Sequence, residues 1–464
     1  MDNKIILEKL YERYIAPTKR KPKDYIGVEI EMPIINLNKK AVDFKIVHSL
    51  TRAFMKRFFF EPSGYDDYGN IYAAENTING DILSYDCSYN NLELSFGRER
   101  NIREIHKRFN EYYSFIQEFF KPYGYTLTGM GINPYRKYNH NIPIENGRYR
   151  MLFHHLGTYK NYKLPMYFHK YSDFGTFSSA SQVQLDVEYN KLPLTINTFS
   201  KLEPIKALLF NNSVLIGEND ELHCCRDMFW ENSTHGINPH NIGMYECEIE
   251  SIDDLLSYIA STSIYCVERG DKYINFPPIN IVEYLNSDKL EGEYFSDGGY
   301  KKIEFTPSID DIKYLRTFKF EDLTFRGTIE FRSVCAQPVS DSFSVAAFHT
   351  GLMKRTEELA EILEKDEVLY HNGYTSGELR KLLVKSGLPS FINEDELYGL
   401  AERIVNLSRD GLRQRGFGEE KFLSPLYERI NNRTNPAKKL FERLNSGEDL
   451  EEIIKDYAKI NRVG

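Results

Sequence analysis

The chain has 464 residues, 41% hydrophobic and 27% charged, which suffices for a sizeable core and is ordinary for a folded protein. Its formal net charge of −9 excludes a broad nucleic-acid-binding surface, which needs a basic stripe, and no stretch approaches the roughly 18 apolar residues of a membrane span. The six cysteines form no Cys-x-x-Cys pair, and a chain of this size needs no disulfide staples, so a reduced, cytoplasmic protein is expected.

Residues 4–15 read as a charged helix without the apolar core of a signal peptide. The basic run Lys19–Lys23 reads as an exposed linker. Residues 25–32 read as a strand and 46–60 as a helix, with Ile46, Leu50, Phe54 and Phe58 at near-helical spacing. Residues 63–99 hold short runs punctuated by Gly and Asn, the mark of antiparallel hairpins. An amphipathic helix follows at 101–121, ended by Pro122 and Gly124. Residues 125–135 and 176–189 read as strands, 200–215 and 252–267 as helices, and 324–336 as a strand. From about residue 341 the pattern is almost wholly helical, broken at Gly373, Gly377, Gly387-Leu388-Pro389, Gly416-Phe417-Gly418 and Asn435-Pro436. Val384, Leu388, Ile392, Leu397, Leu400 and Ile404 there are spaced as buried helical faces. The order predicts an α+β fold: a mostly antiparallel sheet forming a cavity, helices on its outer face, and a helical C-terminal region.

The chemistry is concentrated on strands. In Tyr25–Met32 the side chains alternate, so Ile26, Val28, Ile30 and Met32 share one face while Glu29 and Glu31 share the other. Three further strands repeat the pattern. Glu93 lies opposite Leu92, Leu94 and Phe96; Gln182, Gln184 and Asp186 form one polar face; Glu330 and Arg332 sit together opposite Ile329 and Phe331. Carboxylates gathered on one face repel unless water or a cation separates them, and oxygen ligands suit Mg²⁺. A nucleotide brings dense negative charge that metal ions bridge to protein carboxylates, and a guanidinium can grip a carboxylate or a transferring phosphoryl group. Neither a phosphate-binding Gly-rich loop nor a dinucleotide fingerprint nor a His-Glu-x-x-His zinc motif occurs. Gly129-Met130-Gly131 reads as a turn, and the adjacent His154 and His155, which must point in two directions, read as structural.

Taken together, these segments resemble the glutamate–cysteine ligase family of the glutamine synthetase-like superfold. Gly27–Glu31 is similar to the family's first acidic strand and Asn91–Ser95 to its second metal-binding strand. Gly147–Met151, Ser179–Asp186 and Ala207–Ser213, with Gly217, Arg226, Trp230 and Gly236, resemble its plant and proteobacterial branch, and Glu330-Phe331-Arg332 resembles its Glu-x-Arg. The resemblance implies a catalytic region over residues 1–353 and a helical support over 354–464. It implies ATP and Mg²⁺ as cofactors, with Glu29, Glu31, Glu93 and Glu330 holding the metal, and Glu330 and Arg332 at the catalytic centre. Gln182, Gln184, Arg226 and Arg332 would then face substrate or nucleotide. The implied reaction joins the γ-carboxylate of glutamate to an amine, cysteine first, through an acyl phosphate, as in glutathione biosynthesis. Small molecules are the expected partners, without nucleic acid or membrane. The segment Ser333–Pro338 departs from the branch pattern and leaves another acceptor amine open; a guanidino-kinase-like phosphotransferase is the other alternative.

Overall fold

The computed structural model describes residues 2–245 and 247–460; residues 461–464 of the predicted helical region lie outside it. Helix α1 (Asn3–Leu10) starts where the Asp2 carboxylate accepts from the Lys4 amide at 2.9 Å, and it runs on through a wider turn over Tyr11–Ile15. Strand β1 (Ile26–Asn36) is longer than predicted. It pairs with β5 as far as Pro33 and then trades that partner for β6 over Ile34–Asn36. Helix α2 (Phe44–Phe58), capped by Asp43, is followed by the hairpin strands β2 (Glu61–Tyr65), β3 (Ile71–Glu75), β4 (Ile82–Tyr85) and β5 (Asn91–Glu99). Helix α3 (Ile102–Phe120), capped by Asn101, leads into β6 (Tyr125–Leu127). The strand predicted at 125–135 stops at Leu127. Beyond it, Gly129 and Gly131 lie so close to the backbones of Gln337 and Asn212 that neither could carry a Cβ, which makes them close-approach glycines more than a turn.

After α4 (Gly147–Gly157) and β7 (Ser181–Asp186) comes α5 (Leu192–Phe210), which starts earlier than predicted because Pro193 suits a first helical turn. Short α6 (Cys225–Glu231) and β8 (Ile242–Gly243) follow. The helix predicted at 252–267 ends at Ala260 as α7 (Ile252–Ala260); the Ile264-Tyr265-Cys266-Val267 run is strand-forming and opens a four-stranded sheet absent from the sequence reading. That sheet comprises β9 (Ser263–Arg269), β10 (Lys272–Asn280), β11 (Leu290–Ser296) and β12 (Gly299–Phe305), with α8 (Ile281–Asn286) between its second and third strands. Strand β13 (Phe318–Lys319) pairs with β8. The strand predicted at 324–336 is shorter, β15 (Thr328–Phe331), and it pairs with an unpredicted strand, β14 (Glu321–Leu323), across a turn with Gly327 at φ +72°.

The main sheet has nine strands in the order β14-β15-β7-β1-β5-β4-β3-β2, with β6 beside the end of β1. On one face Val28 lies opposite Phe96 and Val183, Ile30 opposite Leu94, and Leu185 opposite Ile329. This face is buried against helices in one continuous apolar cluster. The remaining helices are α9 (Phe343–Met353), α10 (Thr356–Glu364), α11 (Ser376–Leu383), α12 (Glu394–Arg415), α13 (Ser424–Asn431), α14 (Pro436–Asn445) and α15 (Leu450–Tyr457). Gly377 does not break the chain into loop: it lies inside α11, where the Thr375–Glu378 capping box outweighs the cost of a helical glycine. Val384, Ile392, Leu397, Leu400 and Ile404 are buried in the same cluster that covers the sheet, with Leu388 packed against it. Among the described residues no helix is long and apolar enough to cross a membrane.

Candidate active site

The other face of the sheet is polar, and the register explains why. Glu29 of β1 lies opposite Ser95 of β5 and Gln182 of β7; Glu31 lies opposite Glu93 of β5. Gln184 of β7 lies opposite Glu330 of β15, which lies opposite Asp322 of β14. Strict alternation on adjacent strands therefore brings Glu29, Glu31, Glu93, Glu330, Gln182 and Gln184 onto one surface.

Hydrogen bonds organise this surface. The Gln184 amide donates to Glu330 at 2.6 Å and to Glu29 at 3.1 Å, bridging the two carboxylates. Glu31 accepts from the Ala180 amide at 2.7 Å and from Gln182 at 3.0 Å, and Ser95 donates to Glu93 at 2.5 Å. The Oε1 of Gln182 is buried without a partner. Glu330 alone touches a cation, Arg332, whose Nη1 donates at 2.6 Å and whose guanidinium carbon lies 5.7 Å from the Phe318 ring centroid. Arg226 enters from α6 and is anchored by donating to the carbonyls of Ser333 and Val334 at 3.4 and 3.2 Å.

The electrostatics follow from burial and like charge. Burial, then the charges of Glu330 and Glu93, push the Glu29 carboxyl well above its usual range. Burial, then Asp86 and Glu93, push Glu31 up to about 8. Burial, then Asp86, push Glu93 up to about 7 although Ser95 opposes the shift. Burial works against the charge on Arg332, but Glu330, Asp322 and Glu29 outweigh it and keep the guanidinium ionised.

Among the described residues no group of three His, Cys, Asp or Glu side chains is placed to hold a metal ion; glutamines, a serine and a backbone amide donate to the carboxylate oxygens instead. A cation would displace these neutral donors, and the oxygen-rich, mutually repelling acids fit a hard divalent ion in their chemistry.

The sequence reading missed several residues here. Asp86, in the turn between β4 and β5, raises both Glu31 and Glu93. Arg148 of α4 opposes the shift of Glu93 and, after burial itself, is the largest influence on Asp86. Asp322 faces Glu330 across the hairpin, and burial pushes it up to about 7 despite Arg332. Conversely, Asp186 shares the parity of Gln182 and Gln184 but does other work: it accepts from Arg20 at 2.7 Å and from the Lys23 amide at 2.9 Å, tying down the basic linker. His154 and His155 diverge as expected. His154 pairs with Glu293 at 2.8 Å, while buried His155 stacks on Tyr265. A cavity of about 140 Å³ lies elsewhere, beside Asp24, Lys191, Lys354 and Glu357; there Asp24 pairs with Lys354 and Glu357 with Lys191.

The chain is similar to known proteins. The glutamate–cysteine ligase of Solanum lycopersicum, a chloroplastic protein, is 23% identical over 362 residues, covering 76% of this chain and 64% of its own. The Nicotiana tabacum protein is 22% identical over 365 residues with the same coverage, so the chain spans less than two thirds of the length of these relatives. The crystal structure of the Francisella tularensis glutamate–cysteine ligase in complex with AMP superposes with a TM-score of 0.51 at 11% identity, over 95% of this chain and 88% of that one. The profile of glutamate-cysteine ligase family 2 (GCS2) matches residues 26–458, from the first acidic strand to the last helix, and the chain belongs to that family.

Proposed function

We propose that this protein is an ATP- and Mg²⁺-dependent ligase that joins the γ-carboxylate of glutamate to an amino-acid amine, cysteine first, in glutathione biosynthesis. The observation that carries the reading is the polar face of the main sheet, where Glu29, Glu31, Glu93 and Glu330 meet Gln182, Gln184 and Arg332 in a chain of this family. The four glutamates would hold Mg²⁺, which supplies charge neutralisation between them and the nucleotide phosphates. That the Francisella relative was solved with AMP supports nucleotide use.

Arg332 is placed to follow charge on the transferring phosphoryl group, with Glu330 fixing its fork. Arg226 is suited to the α-carboxylate of glutamate, and the free Gln182 Oε1 can accept from an ammonium. The reaction has two balanced steps. A γ-carboxylate oxygen attacks the terminal phosphorus and ADP leaves; the amine nitrogen then attacks the acyl carbon, phosphate leaves with that oxygen, and the nitrogen gives up a proton. In this reading residues 1–353 are the catalytic region and 354–464 a helical support. A cytoplasmic location agrees with six free thiols, although the plant relatives are chloroplastic proteins.

The test offers purified protein ATP, Mg²⁺ and glutamate with cysteine, α-aminobutyrate and unrelated amines in competition, and reads product masses. The γ-glutamyl products of cysteine and α-aminobutyrate are expected together, because a thiol-sized pocket separates such side chains by only about 1–3 kcal/mol. Consumption of an unrelated amine alone would replace this reading with a sibling ligase. A phosphorylated product without an amide would make the protein a phosphotransferase.

A further inference from the structure

Arg380 belongs to α11, far from the polar face in sequence, and is almost wholly buried. Its guanidinium is divided between two elements. Nε and Nη2 donate to the two carboxylate oxygens of Asp227 at 2.7 and 3.0 Å. Nη1 donates to the carboxylate of Glu203 at 2.6 Å and to its carbonyl at 3.2 Å. The Phe320 ring packs 4.7 Å from the guanidinium carbon.

Each carboxylate leads to one of the two substrate-facing arginines. Asp227 directly follows Arg226 on α6. Glu203 accepts from the Ser333 hydroxyl at 3.0 Å, and Ser333 directly follows Arg332. Arg226 closes the circuit by donating to the Ser333 and Val334 carbonyls. The segment that departs from the branch pattern, Ser333–Pro338, is thus held from behind by Glu203 and from the front by Arg226. A second C-terminal arginine, Arg429 of α13, reaches the same segment and donates to Gln337 at 2.8 Å.

We propose that Arg380 is a positioning residue that sets the spacing between Arg226 and Arg332 by clamping Asp227 and Glu203 at once; the role rests on the ligase reading above. The planar fork is what the site requires. Lysine supplies one point charge and cannot satisfy two oxygens of Asp227 while also bonding Glu203. The two arginines ride on different elements, α6 and the end of β15, and a displacement of about 1 Å between groups that hold the reacting glutamate and phosphoryl group can cost about 10²-fold in rate. The helical C-terminal region would then do more than support the fold: it would hold the glutamate-binding and phosphoryl-binding arginines in register.

The test is steady-state kinetics on Arg380→Lys, Asp227→Asn and the double variant, with glutamate varied at saturating ATP and acceptor, and thermal melts to verify folding. Each single variant is expected to raise the KM for glutamate about tenfold or more, and the double variant to be no worse than the worse single one, since both break the same link. If Arg380→Lys does not fold, Asp227→Asn carries the comparison. An unchanged KM for glutamate with only a lower melting temperature or active fraction would reduce Arg380 to a structural residue and overturn the proposal, as would additive losses in the double variant. Absence of amide product from the wild-type protein would overturn the ligase reading and this role with it; wild-type turnover with unaltered KM in the variants would sink the positioning role alone.

Discussion

Two groups of buried acids lie on opposite faces of the β14–β15 hairpin, and they are neutralised in opposite ways. Behind the sheet, Glu203, Glu321 and Asp227 meet Lys206 and Arg380: Lys206 pairs with Glu203, lies 3.4 Å from Glu321, and Arg380 spans the other two. Burial alone would raise Glu203, but Lys206 and Arg380 outweigh it and hold that carboxyl down at about 2. Burial, then the Glu203 charge, push Glu321 well above its usual range, although Lys206 opposes the shift. In front, Glu29, Glu31 and Glu93 meet neutral donors and one another, and Glu31 and Glu93 rise to about 8 and about 7. The rear group is complete within the protein. The front group is left short of contacting positive charge, which in the proposed function Mg²⁺ would supply.

The strongest way to break this contrast is to alter Arg332, the arginine that contacts the front-face acid Glu330. Arg332→Ala and Arg332→Lys are both expected to lose about 10²-fold or more in turnover, because lysine keeps the charge but not the fork. Rates measured with ATP, Mg²⁺, glutamate and the accepted amine decide it; near-normal turnover in a folded lysine variant would mean that Arg332 supplies only diffuse charge.

Next in size is the difference in stability between the two groups. Glu203→Ala leaves Lys206 and Arg380 buried with too little negative charge and should cost about 3–5 kcal/mol in denaturant melts. Glu31→Gln removes an acid that is already protonated near neutrality and should cost less than about 1 kcal/mol. Equal losses would mean that both groups serve the fold alone.

A smaller effect concerns pH. The folded values of Glu31 and Glu93, about 8 and about 7, lie above the roughly 4.3 of an unfolded glutamate. Between those values the unfolded chain binds fewer protons than the folded one. The stability these two groups contribute is therefore full below about pH 4.3 and is lost as pH rises toward about 8. Thermal melts in chelator should shift downward from about pH 5 to about pH 8, and excess Mg²⁺ should restore stability most at the upper end. A Glu31→Gln/Glu93→Gln variant should lose most of this dependence. A profile indifferent to Mg²⁺ would contradict a cation site on this face.

The smallest effect is expected at Asp186, which has the right parity for the polar face but ties down the linker. Asp186→Asn should leave turnover within about twofold and cost about 1 kcal/mol, since the Arg20 partner is half exposed. A large loss of turnover with intact folding would return Asp186 to the site.

Period-two alternation made the front face legible in the sequence. Glu29, Glu31, Glu93, Glu330, Gln182 and Gln184 each stood opposite an apolar neighbour, and the strand register then brought them together. Asp86 was illegible because a turn aims it, with the following Cys87 at φ +57°. Asp322 was hidden because its three-residue strand, β14, lies before the predicted strand and is too short to show alternation. In the rear group Glu203 and Lys206 stand three apart on α5, but Arg380 of α11, Asp227 of α6 and Glu321 of β14 join them through packing that no local pattern foretells. The small sheet was lost because Ser263–Arg269 follows directly on a helical pattern and was absorbed into it. At Asp186 alternation sets the face the side chain leaves from, and the neighbouring loop decides what it binds.

The central claim is that the front face activates a carboxylate, and isotope transfer tests it most directly. Glutamate carrying ¹⁸O in its γ-carboxylate is incubated with the protein, ATP, Mg²⁺ and cysteine, and the released phosphate is weighed by mass spectrometry. The acyl-phosphate route predicts one ¹⁸O in each phosphate formed with an amide. Amide formation with unlabelled phosphate, or phosphate release without any amide, would contradict it.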